Sequence, residues 1–266
     1  MMYRVFFSLV LYNQSFEKIK DLLENISDFE RLAKKNNIEV QLLILDNSTD
    51  NLNLDFSEFR FIKYIFNKKN IGFGRGHNKN LFSINFLSTD VYLIINPDIT
   101  FNPYELFRYV EKFFISDYVC ISPLIKNPSG KIQYSVKRNP TVLSLLLGRF
   151  NFLTKIRIFK NYYEDHINYK FDYLKHKIQS SYLSGCFLLV KAFTYHKVKG
   201  FDPSYFLHLE DADFTRMCSI EGKVLHNPEC TVFHEWARGS HKSLKQMFFL
   251  LNSMFIYFKK WGFKIF

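Results

Sequence analysis

Val91-Tyr-Leu-Ile-Ile-Asn-Pro-Asp98 is the stretch from which the rest of the chain can be understood. Its five apolar residues, Val91 to Ile95, do not alternate with polar ones, which predicts a short strand buried on both faces. Asn96-Pro97-Asp98 then ends the strand, because proline cannot continue a sheet ladder. In open α/β sheets ligands bind beyond the carboxyl ends of the strands, so Asp98 is placed to meet a metal or a phosphate. A plain Asn-Pro-Asp turn is the alternative, and the tripeptide alone favours it.

The residues on either side of this strand alternate between strand and helix patterns. Ser15 can cap an amphipathic helix, and proline at the first helical position favours a helix from Pro103. This order predicts a Rossmann-like α/β fold with a doubly wound, mostly parallel sheet. The predicted strands are 3–11, 40–45, 61–66, 91–95 and 118–121, and the predicted helices are 16–35, one that follows a glycine-rich loop and ends near Leu87, and one that begins at Pro103.

The second half of the chain has a weaker pattern. Prolines and glycines punctuate short extended pieces, and the region 143–177 mixes apolar with basic residues without a clear period. A strand is predicted at 182–190, where Gly185 allows a ligand or backbone to approach closely. A helix is predicted from about Glu210 to near Gly222. Two short strands, 224–226 and 231–233, and an apolar segment, 244–258, complete the prediction.

Composition limits the possible classes of protein. The chain has 266 residues, of which 47% are hydrophobic, so it can build a full core and is not a disordered polymer. The 36 Lys and Arg against 25 Asp and Glu favour an anionic partner, such as a nucleotide, a nucleic acid or an acidic membrane surface. The four cysteines are widely spaced, which suggests neither a disulfide framework nor a thiolate zinc site and is typical of a cytoplasmic protein. No stretch reaches the roughly 20 apolar residues of a membrane span.

Polar turns follow three of the predicted strands. They begin at Asn13, Asp46 and Asn96, and the loop Gly72-Phe-Gly-Arg-Gly76 lies between the second and the third. Such a loop lets backbone N–H groups and a helix start face a phosphate, with Arg75 adding charge. It has neither the Rossmann spacing nor the Gly-Lys-Ser/Thr of a Walker loop, so a glycine-rich helix start without a ligand remains the alternative. Together the turns and the loop predict a nucleotide pocket.

The motifs of the chain resemble those of family 2 glycosyltransferases, most closely the rhamnosyltransferase-like branch. The resemblance extends from Val5 to about Ser240, and seven motifs in the same order are far more specific than any one of them. It implies a GT-A fold, inverting transfer, a nucleoside-diphosphate sugar donor and a divalent cation, Mg²⁺ or Mn²⁺. The motifs are Leu11-Tyr-Asn13, Leu45-Asp-Asn-Ser-Thr-Asp50, Asn70-Ile-Gly-Phe-Gly-Arg-Gly-His-Asn78, Ile95-Asn-Pro-Asp98, Gly200-Phe-Asp202, Glu210-Asp-Ala-Asp213 and Val232-Phe-His234.

The resemblance also implies roles for individual residues. Asp46 corresponds to the aspartate that reads the nucleobase, and Asp98 to the last residue of the Asp-x-Asp motif, which holds the metal. Asn96 replaces the first aspartate, so fewer protein charges face the metal. His234 matches a histidine near metal and diphosphate, and Asp211 is the predicted catalytic base. The other residues assigned to nucleotide-sugar binding are Tyr12, Asn13, Asn47, Asn70, Gly72, Gly74, Arg75, Asn96, Gly185 and Glu210.

The expected organisation is a single GT-A domain. Residues 1–122 form its nucleotide-sugar half, 123–243 its acceptor and catalytic half, and 244–266 a basic aromatic helix and tail. The helix suits a membrane interface, although packing on the sheet explains residues 244–258 equally well. The expected reaction moves rhamnose from dTDP-rhamnose to a glycan or a lipid-diphosphate-linked saccharide in surface polysaccharide, O-antigen or capsule synthesis. The expected location is the cytoplasm, peripheral to an anionic membrane surface, with no nucleic acid as partner.

Other classes of protein share some of these features. A nucleotidyltransferase would have the same fold and metal aspartate, but it would carry a glycine-rich triphosphate loop directly after the first strand. A noncatalytic nucleotide-sugar or glycan-binding protein would bind the donor without turnover, and both Asp98 and Asp211 count against it. A two-carboxylate glycoside hydrolase would leave the glycine-rich loop and Asp98 without a role.

Overall fold

A nine-stranded sheet organises the computed structural model, which describes residues 3–51, 54–235 and 244–266, with only the backbone of Asn151. The end of the predicted family resemblance, residues 236–240, lies outside these ranges. The strands are β1 (Tyr3–Leu11), β2 (Ile38–Asp46), β3 (Ile62–Phe66), β4 (Val91–Ile95), β5 (Ile99–Phe101), β6 (Tyr118–Lys126), β7 (Val136–Lys137), β8 (Ile178–Gln179), β9 (Tyr182–Leu183), β10 (Phe187–Lys191) and β11 (Lys223–His234). The helices are α1 (Phe16–Lys35), α2 (Phe73–Leu81), α3 (Pro103–Phe114), α4 (Val142–Arg149), α5 (Arg157–His166), α6 (Ala192–Lys197), α7 (Glu210–Glu221) and α8 (Leu244–Trp261), with a 3₁₀ turn at Asn151–Lys155.

The main sheet has the order β3-β2-β1-β4-β10-β6-β11-β5, with β8 paired to β11. Strands β1 to β4 are parallel to one another, β10 runs against both β4 and β6, and β5 runs against β11. Strands β7 and β9 form a separate two-stranded sheet. The prediction of a doubly wound, mostly parallel α/β sheet is therefore confirmed.

Strand β4 lies at the centre of the core, as its unbroken apolar run predicts. All five of its side chains are fully buried. Because successive side chains of a strand point to opposite faces, Leu93 and Ile95 pack with α1 and α3, whereas Tyr92 and Ile94 pack with α6 and α7. The polar turns at the carboxyl edge of the sheet therefore follow strands that are packed on both faces.

Several predicted boundaries are wrong for identifiable reasons. Helix α2 ends at Leu81 and not near Leu87, because the Ser83 hydroxyl and backbone N–H both turn back to the Asn80 carbonyl. The strand predicted at 182–190 is two strands, since Ser184 to Cys186 direct their backbone groups to other partners. The two strands predicted after α7 are one, β11, whose pairing with β6 is irregular between His226 and Thr231, around Pro228.

The second half of the chain contains elements that the sequence pattern did not predict. Helices α4 and α5 and the 3₁₀ turn occupy most of the region 143–177, and α6 follows β10 directly. The proposed boundary after residue 122 falls inside β6, and the division into two halves stays a prediction. In the three described ranges, no helix is long and apolar enough to cross a membrane.

Candidate active site

The polar turns predicted from the sequence converge on one edge of the sheet. Leu11 lies opposite Asp46 at the ends of β1 and β2, and β4 ends next to them. The antiparallel strands bring other residues to the same edge, because Phe187 at the start of β10 lies opposite Ile95, and His234 at the end of β11 lies opposite Ile99. Residues from four separated motifs therefore meet where α/β proteins bind ligands.

Asp98 and His234 face each other at this edge. The His234 Nε2 atom lies 3.3 Å from Asp98 Oδ1 and 3.3 Å from Asn96 Nδ2. The imidazole is almost completely buried, whereas the Asp98 carboxylate is about one-third exposed. The backbone is also tied here, because Glu235 N–H donates to the Asp98 carbonyl at 3.1 Å. The two residues predicted to hold the metal are thus neighbours in the structure.

Gln133, which the sequence analysis missed, holds His234 in place. Its Nε2 donates to the His234 carbonyl at 2.7 Å, which turns its Oε1 toward His234 Nδ1 at 2.9 Å. An amide oxygen only accepts hydrogen bonds, so Nδ1 carries a proton, and in the neutral imidazole Nε2 presents the lone pair toward Asp98. This is the tautomer that a metal-binding histidine requires, and a partner at the other ring nitrogen is typical of such sites.

The donor set at this edge fits a divalent cation with few protein ligands. Two neighbouring ligands of an octahedral ion at about 2.0–2.1 Å lie about 2.9 Å apart, close to the separation of His234 Nε2 and Asp98 Oδ1. Within residues 3–51, 54–235 and 244–266, no cluster of three or more His, Cys, Asp or Glu side chains is arranged to hold a metal. The pair could therefore hold Mg²⁺ or Mn²⁺ only together with oxygens of a ligand, as phosphate-bound cations commonly are held.

Asp46 is buried at the end of β2. Its side chain is fully buried, Oδ1 accepts from Ser48 N–H at 2.8 Å, and Oδ2 accepts from the Tyr64 hydroxyl at 2.9 Å. Burial and this contact with the carboxylate raise the pKa of Tyr64, so the phenol keeps its proton. In this arrangement Asp46 shapes the turn after β2, and its contact with a nucleobase stays a prediction.

The glycines at the start of α2 have packing reasons. Gly72 has φ +91°, and a Cβ there would lie 2.4 Å from the Phe206 carbonyl oxygen. A Cβ on Gly74 would lie 2.7 Å from the Phe201 side chain, and one on Gly76 would lie 2.7 Å from Val10. The loop therefore allows α2 to pack tightly against β1 and the 201–206 segment, which is the alternative to a phosphate loop.

Several hydrogen-bonding groups of this loop already have protein partners. Gly72 N–H donates to Asn70 Oδ1 at 2.9 Å, and Asn47 Nδ2 donates to the Gly72 carbonyl at 3.2 Å. Arg75 Nε donates to the Pro203 carbonyl at 2.5 Å. Asn47, Asn70 and Gly72 are thus tied to one another beside this edge, and their contact with a donor stays a prediction.

The end of β1 is shaped by Asn13. This residue adopts a left-handed conformation with φ 54°, and its N–H donates to Ser48 Oγ at 2.8 Å. Asn47 N–H donates to the Leu11 carbonyl, so the turns after β1 and β2 are tied together. Tyr12 is about half exposed beside them and offers an aromatic ring at the rim of the edge.

Asp211 reaches the same edge through Gly185. Its Oδ2 accepts from Gly185 N–H at 3.0 Å, and its Oδ1 accepts from Ala212 N–H at 2.8 Å. Cys186 follows Gly185, and its carbonyl accepts from Asn96 N–H at 3.0 Å. The segment Ser184 to Cys186 therefore links the predicted base to the end of β4. A Cβ on Gly185 would lie 3.0 Å from Asp211 Cβ, so glycine is what permits this approach.

Glu210 is a buried carboxyl group beside Asp211. It is buried at the start of α7, and within the described part of the chain its Oε2 has no hydrogen-bond partner. Burial, and then the Asp211 carboxylate, raise the pKa of Glu210 from its ordinary 4.5 to about 8. Glu210 is therefore protonated at neutral pH and is a hydrogen-bond donor next to a carboxylate.

We expect Glu210 to lower stability progressively as the pH rises. Between its ordinary pKa and about 8 the native state binds a proton that the unfolded state has lost, so the free energy of unfolding falls with rising pH. Glu210→Gln removes this dependence. Urea denaturation from about pH 5 to about pH 8 should therefore show the free energy of unfolding of the variant rising relative to that of the wild type. Glu221→Gln, at the other end of α7, is the control and should show no such trend. A constant difference between Glu210→Gln and wild type would contradict the assignment.

A strained turn presents Glu210 and Asp211. His208 and Leu209 have φ values of 72° and 62°, in the left-handed region that side chains with a Cβ disfavour. Helix α8 holds this turn, because Ser253 Oγ donates to the Leu207 carbonyl at 2.8 Å and Gln246 Oε1 lies 3.1 Å from His208 Nε2. The positions of Glu210 and of Asp211, the predicted base, thus depend on contacts with α8.

The other end of α8 is anchored to α7 by a buried carboxylate. Asp213 Oδ2 lies 2.8 Å from Lys260 Nζ, and Trp261 Nε1 donates to Asp213 Oδ1 at 2.6 Å. Arg216 donates to the Tyr257 hydroxyl and lies 4.1 Å from the centre of the Trp261 ring. Its guanidinium therefore adds aromatic contacts with α8 to this anchor.

Comparisons with known proteins agree with this fold. No protein-family model matches the chain. Among curated proteins, the chain is similar to rhamnosyltransferase WbbL of Escherichia coli (strain K12), at 25% identity over 164 residues, which are 58% of this chain and 57% of that protein. The chain thus spans less than two thirds of this relative.

Solved structures with the same fold include three glycosyltransferases. GalNAc-T7 with UDP, GalNAc and Mn²⁺ has a TM-score of 0.62 at 14% identity over 86% of this chain and 42% of that one. Mannosyltransferase PcManGT from Pyrobaculum calidifontis with GDP-Man and Mn²⁺ has a TM-score of 0.59 at 14% identity, over 89% of this chain and 58% of that one. S. aureus TarS 1–349 with UDP-GlcNAc has a TM-score of 0.57 at 15% identity, over 91% of this chain and 60% of that one.

At these identities the solved structures establish the fold alone. The order of strands, the polar carboxyl edge and the likeness to WbbL all agree with what the seven sequence motifs implied. The predicted resemblance is thus confirmed, and the chain has the GT-A fold of the glycosyltransferases.

Proposed function

We propose that this protein is an inverting glycosyltransferase that takes a sugar from a nucleoside-diphosphate donor. The observation that carries the proposal is the segment Ser184 to Cys186, which contacts both Asp211 and the end of β4 next to Asp98. It joins a carboxylate suited to accept a proton with a carboxylate and imidazole pair suited to a cation. In a GT-A fold, the proximity of Asp211 to the Asp98 and His234 pair supports glycosyl transfer more strongly than either feature alone.

The proposed chemistry is a single displacement. Asp211 takes the proton of an acceptor hydroxyl, the electron pair of that oxygen forms a bond to the anomeric carbon, and the bond from this carbon to the diphosphate oxygen breaks. The nucleoside diphosphate leaves on the opposite face with the electron pair of the broken bond. Asp98 and His234 would hold Mg²⁺ or Mn²⁺, which when bound neutralises charge on the leaving diphosphate.

Glu210 and Asn96 would support this reaction through hydrogen bonds. Protonated Glu210 donates where an ionised carboxylate could not, and it also keeps a second negative charge away from Asp211. The Asn96 amide donates to His234 Nε2 in this structure and is positioned to meet a phosphate oxygen once a cation holds that nitrogen. These roles follow from the atoms that each side chain can offer at the edge.

The donor and the acceptor are proposed from the relatives. The curated relative is a rhamnosyltransferase, which supports rhamnose from dTDP-rhamnose as the transferred sugar. The solved relatives hold UDP, GDP-Man and UDP-GlcNAc, so the donor class is common to the fold while its base and sugar vary. We propose a lipid-diphosphate-linked saccharide as acceptor, in surface polysaccharide synthesis such as that of O-antigen or capsule.

Donor binding tests the first half of the proposal. Purified protein is titrated calorimetrically with dTDP-rhamnose, UDP-GlcNAc and GDP-Man, each with and without Mn²⁺. We expect one of the three to bind in the presence of Mn²⁺ and to bind more weakly without it. Absence of binding by all three, with and without metal, would overturn the proposal. Binding without any transfer to a saccharide acceptor would identify a noncatalytic binder.

Gln133 offers a test of the histidine assignment. Gln133→Leu removes both hydrogen bonds to His234, so the imidazole loses its fixed tautomer and orientation. We expect the affinity for Mn²⁺, measured by electron paramagnetic resonance in the presence of nucleoside diphosphate, to fall by about 10–100-fold. Gln179→Leu on β8 is the matched control. Equal Mn²⁺ affinity in Gln133→Leu and wild type would exclude His234 as a ligand held by Gln133.

A further inference from the structure

Helix α8 has an outer face that the sheet does not cover. Its inner face packs on the domain through Ser253, Tyr257 and Phe258, which are buried. On the outer face, large apolar side chains recur at intervals of three and four residues, the spacing of a single helical stripe. These exposed side chains are Leu244 (89%), Phe248 (68%), Leu251 (56%) and Phe255 (68%).

A second exposed apolar segment runs from the 3₁₀ turn into the start of α5. Phe152 and Ile158 are about two thirds exposed, and Ile156 is about half exposed. The tail after α8 adds Phe263, Ile265 and Phe266, all more than half exposed. Isolated apolar side chains on a surface need no explanation, but such concentrations mark interaction sites.

The two segments belong to one region of the surface. Val142 N–H donates to the Lys264 carbonyl at 2.9 Å, and Leu143 N–H donates to the Ile265 carbonyl at 3.0 Å. Val142 and Leu145 of α4 also pack in the cluster that contains Tyr257 of α8. We call residues 142–161 and 244–266 together the basic apolar surface.

Charge distinguishes this surface from the rest of the protein. Residues 142–161 and 244–266 contain no Asp or Glu, whereas each segment contains four basic residues. An apolar helix face bordered by lysines and arginines is typical of helices that lie in the interface of an anionic bilayer, with long basic side chains reaching the headgroups. Arg149, Lys155, Arg157, Lys245, Lys259 and Lys264 supply this charge, whereas Lys160 pairs with Glu164 and Lys260 with Asp213.

We propose that the basic apolar surface docks on an anionic lipid bilayer. A second copy of the chain fits less well, because a symmetric contact would bring two surfaces of the same charge together without an acidic partner. The inference goes beyond the proposed function, since binding to lipid needs neither donor nor metal.

Docking would also bring the proposed site to the membrane. The inner face of α8 contacts the turn at His208 and Leu209 that precedes Glu210 and Asp211. Ring contact between Phe206 and Phe249, at 4.6 Å between centroids, adds to this connection. A helix fixed on the bilayer by its outer face would therefore hold the catalytic turn close to an acceptor anchored in lipid.

Sedimentation with vesicles tests the proposal. The full chain, without nucleotide or metal, is mixed with vesicles of phosphatidylcholine alone or with added phosphatidylglycerol. We expect binding to the anionic vesicles that weakens as salt increases, and little binding to the neutral ones. Equal binding to both kinds of vesicle, or none to either, would overturn the proposal. Because donor and metal are absent, this outcome is separate from any failure of the glycosyltransferase assignment.

Two variant pairs and a control locate the contact. Phe248→Ser with Phe255→Ser, and separately Phe152→Ser with Ile158→Ser, should each lower the partition into anionic vesicles by about tenfold or more. Ile115→Ser with Ile220→Ser removes exposed apolar residues elsewhere and should leave binding unchanged. Circular dichroism confirms folding. Equal binding by all three pairs would overturn the proposal, as would a dimer in sedimentation equilibrium that the Phe248 and Phe255 changes dissociate.

Discussion

Replacing Asp211 by asparagine is expected to lower kcat by about 10²–10⁴-fold, the usual contribution of a positioned general base. Asparagine keeps one oxygen that can accept from Gly185 N–H and loses the acceptor for Ala212 N–H, while the ability to take a proton is lost. Donor affinity should change little, because this carboxylate serves the acceptor. The loss is measured as release of nucleoside diphosphate in the presence of a saccharide acceptor.

A matched substitution on the same helix controls for effects on α7. Glu221→Gln alters a carboxylate at the far end of α7, where it pairs with Lys197 at the surface, and should retain wild-type kcat. Unchanged turnover in Asp211→Asn would remove this residue from its proposed role. A parallel loss of donor affinity would instead assign Asp211 to the donor site.

Replacing Asp98 by asparagine is expected to abolish most of the effect of metal on donor binding. The substitution preserves the size of the side chain but removes the only carboxylate that faces His234 Nε2 within 4 Å among the described residues. The affinity for Mn²⁺, measured in the presence of nucleoside diphosphate, should fall by at least roughly 10–100-fold. This is the loss expected when Gln133, which only supports a ligand, is replaced. Calorimetric titration at several Mn²⁺ concentrations measures this change.

An exposed aspartate provides the comparison for Asp98. Asp117→Asn changes a carboxylate that pairs with Lys223 on the surface, and it should leave the metal response intact. A metal response that is the same in Asp98→Asn and wild type would contradict the ligand assignment. In that case the cation, if one is used, would be held by other groups.

The carboxyl edge of the sheet could be predicted because local signals determine it. An apolar run that stops at Asn96-Pro97-Asp98 predicts a buried strand with a polar end, and β4 is fully buried. Once β1, β2 and β4 are parallel neighbours, Asn13, Asp46 and Asp98 must share one edge. This part of the site therefore needed no knowledge of distant contacts.

The support of the site could not be predicted because it depends on contacts between distant residues. Gln133 and His234 are separated by 101 residues, and nothing near Gln133 in the sequence marks it as the partner of a histidine. The turn at His208 and Leu209 likewise adopts a left-handed conformation through contacts with α8, against the preference of a leucine.

The glycine-rich loop shows how one pattern supports two explanations. Its spacing predicts a phosphate loop as well as a tight helix start, and only the structure shows that Gly74 and Gly76 make room for Phe201 and Val10. The sequence also could not separate the packed face of α8 from its exposed face. Large apolar residues occur on both faces, and the buried face includes the polar Ser253, so periodicity did not distinguish core from interface.

Transfer of a sugar to a lipid-linked acceptor is the most direct test of the central claim. Purified protein is incubated with Mn²⁺, dTDP-rhamnose or another nucleotide sugar that binds, and a lipid-diphosphate-linked saccharide, and the labelled product is followed by chromatography. We predict acceptor-dependent product and an equal amount of nucleoside diphosphate from the wild type, with neither from Asp211→Asn above background. Donor binding with no transferred sugar across the panel of acceptors, or equal transfer by the Asp211→Asn variant, would contradict the account.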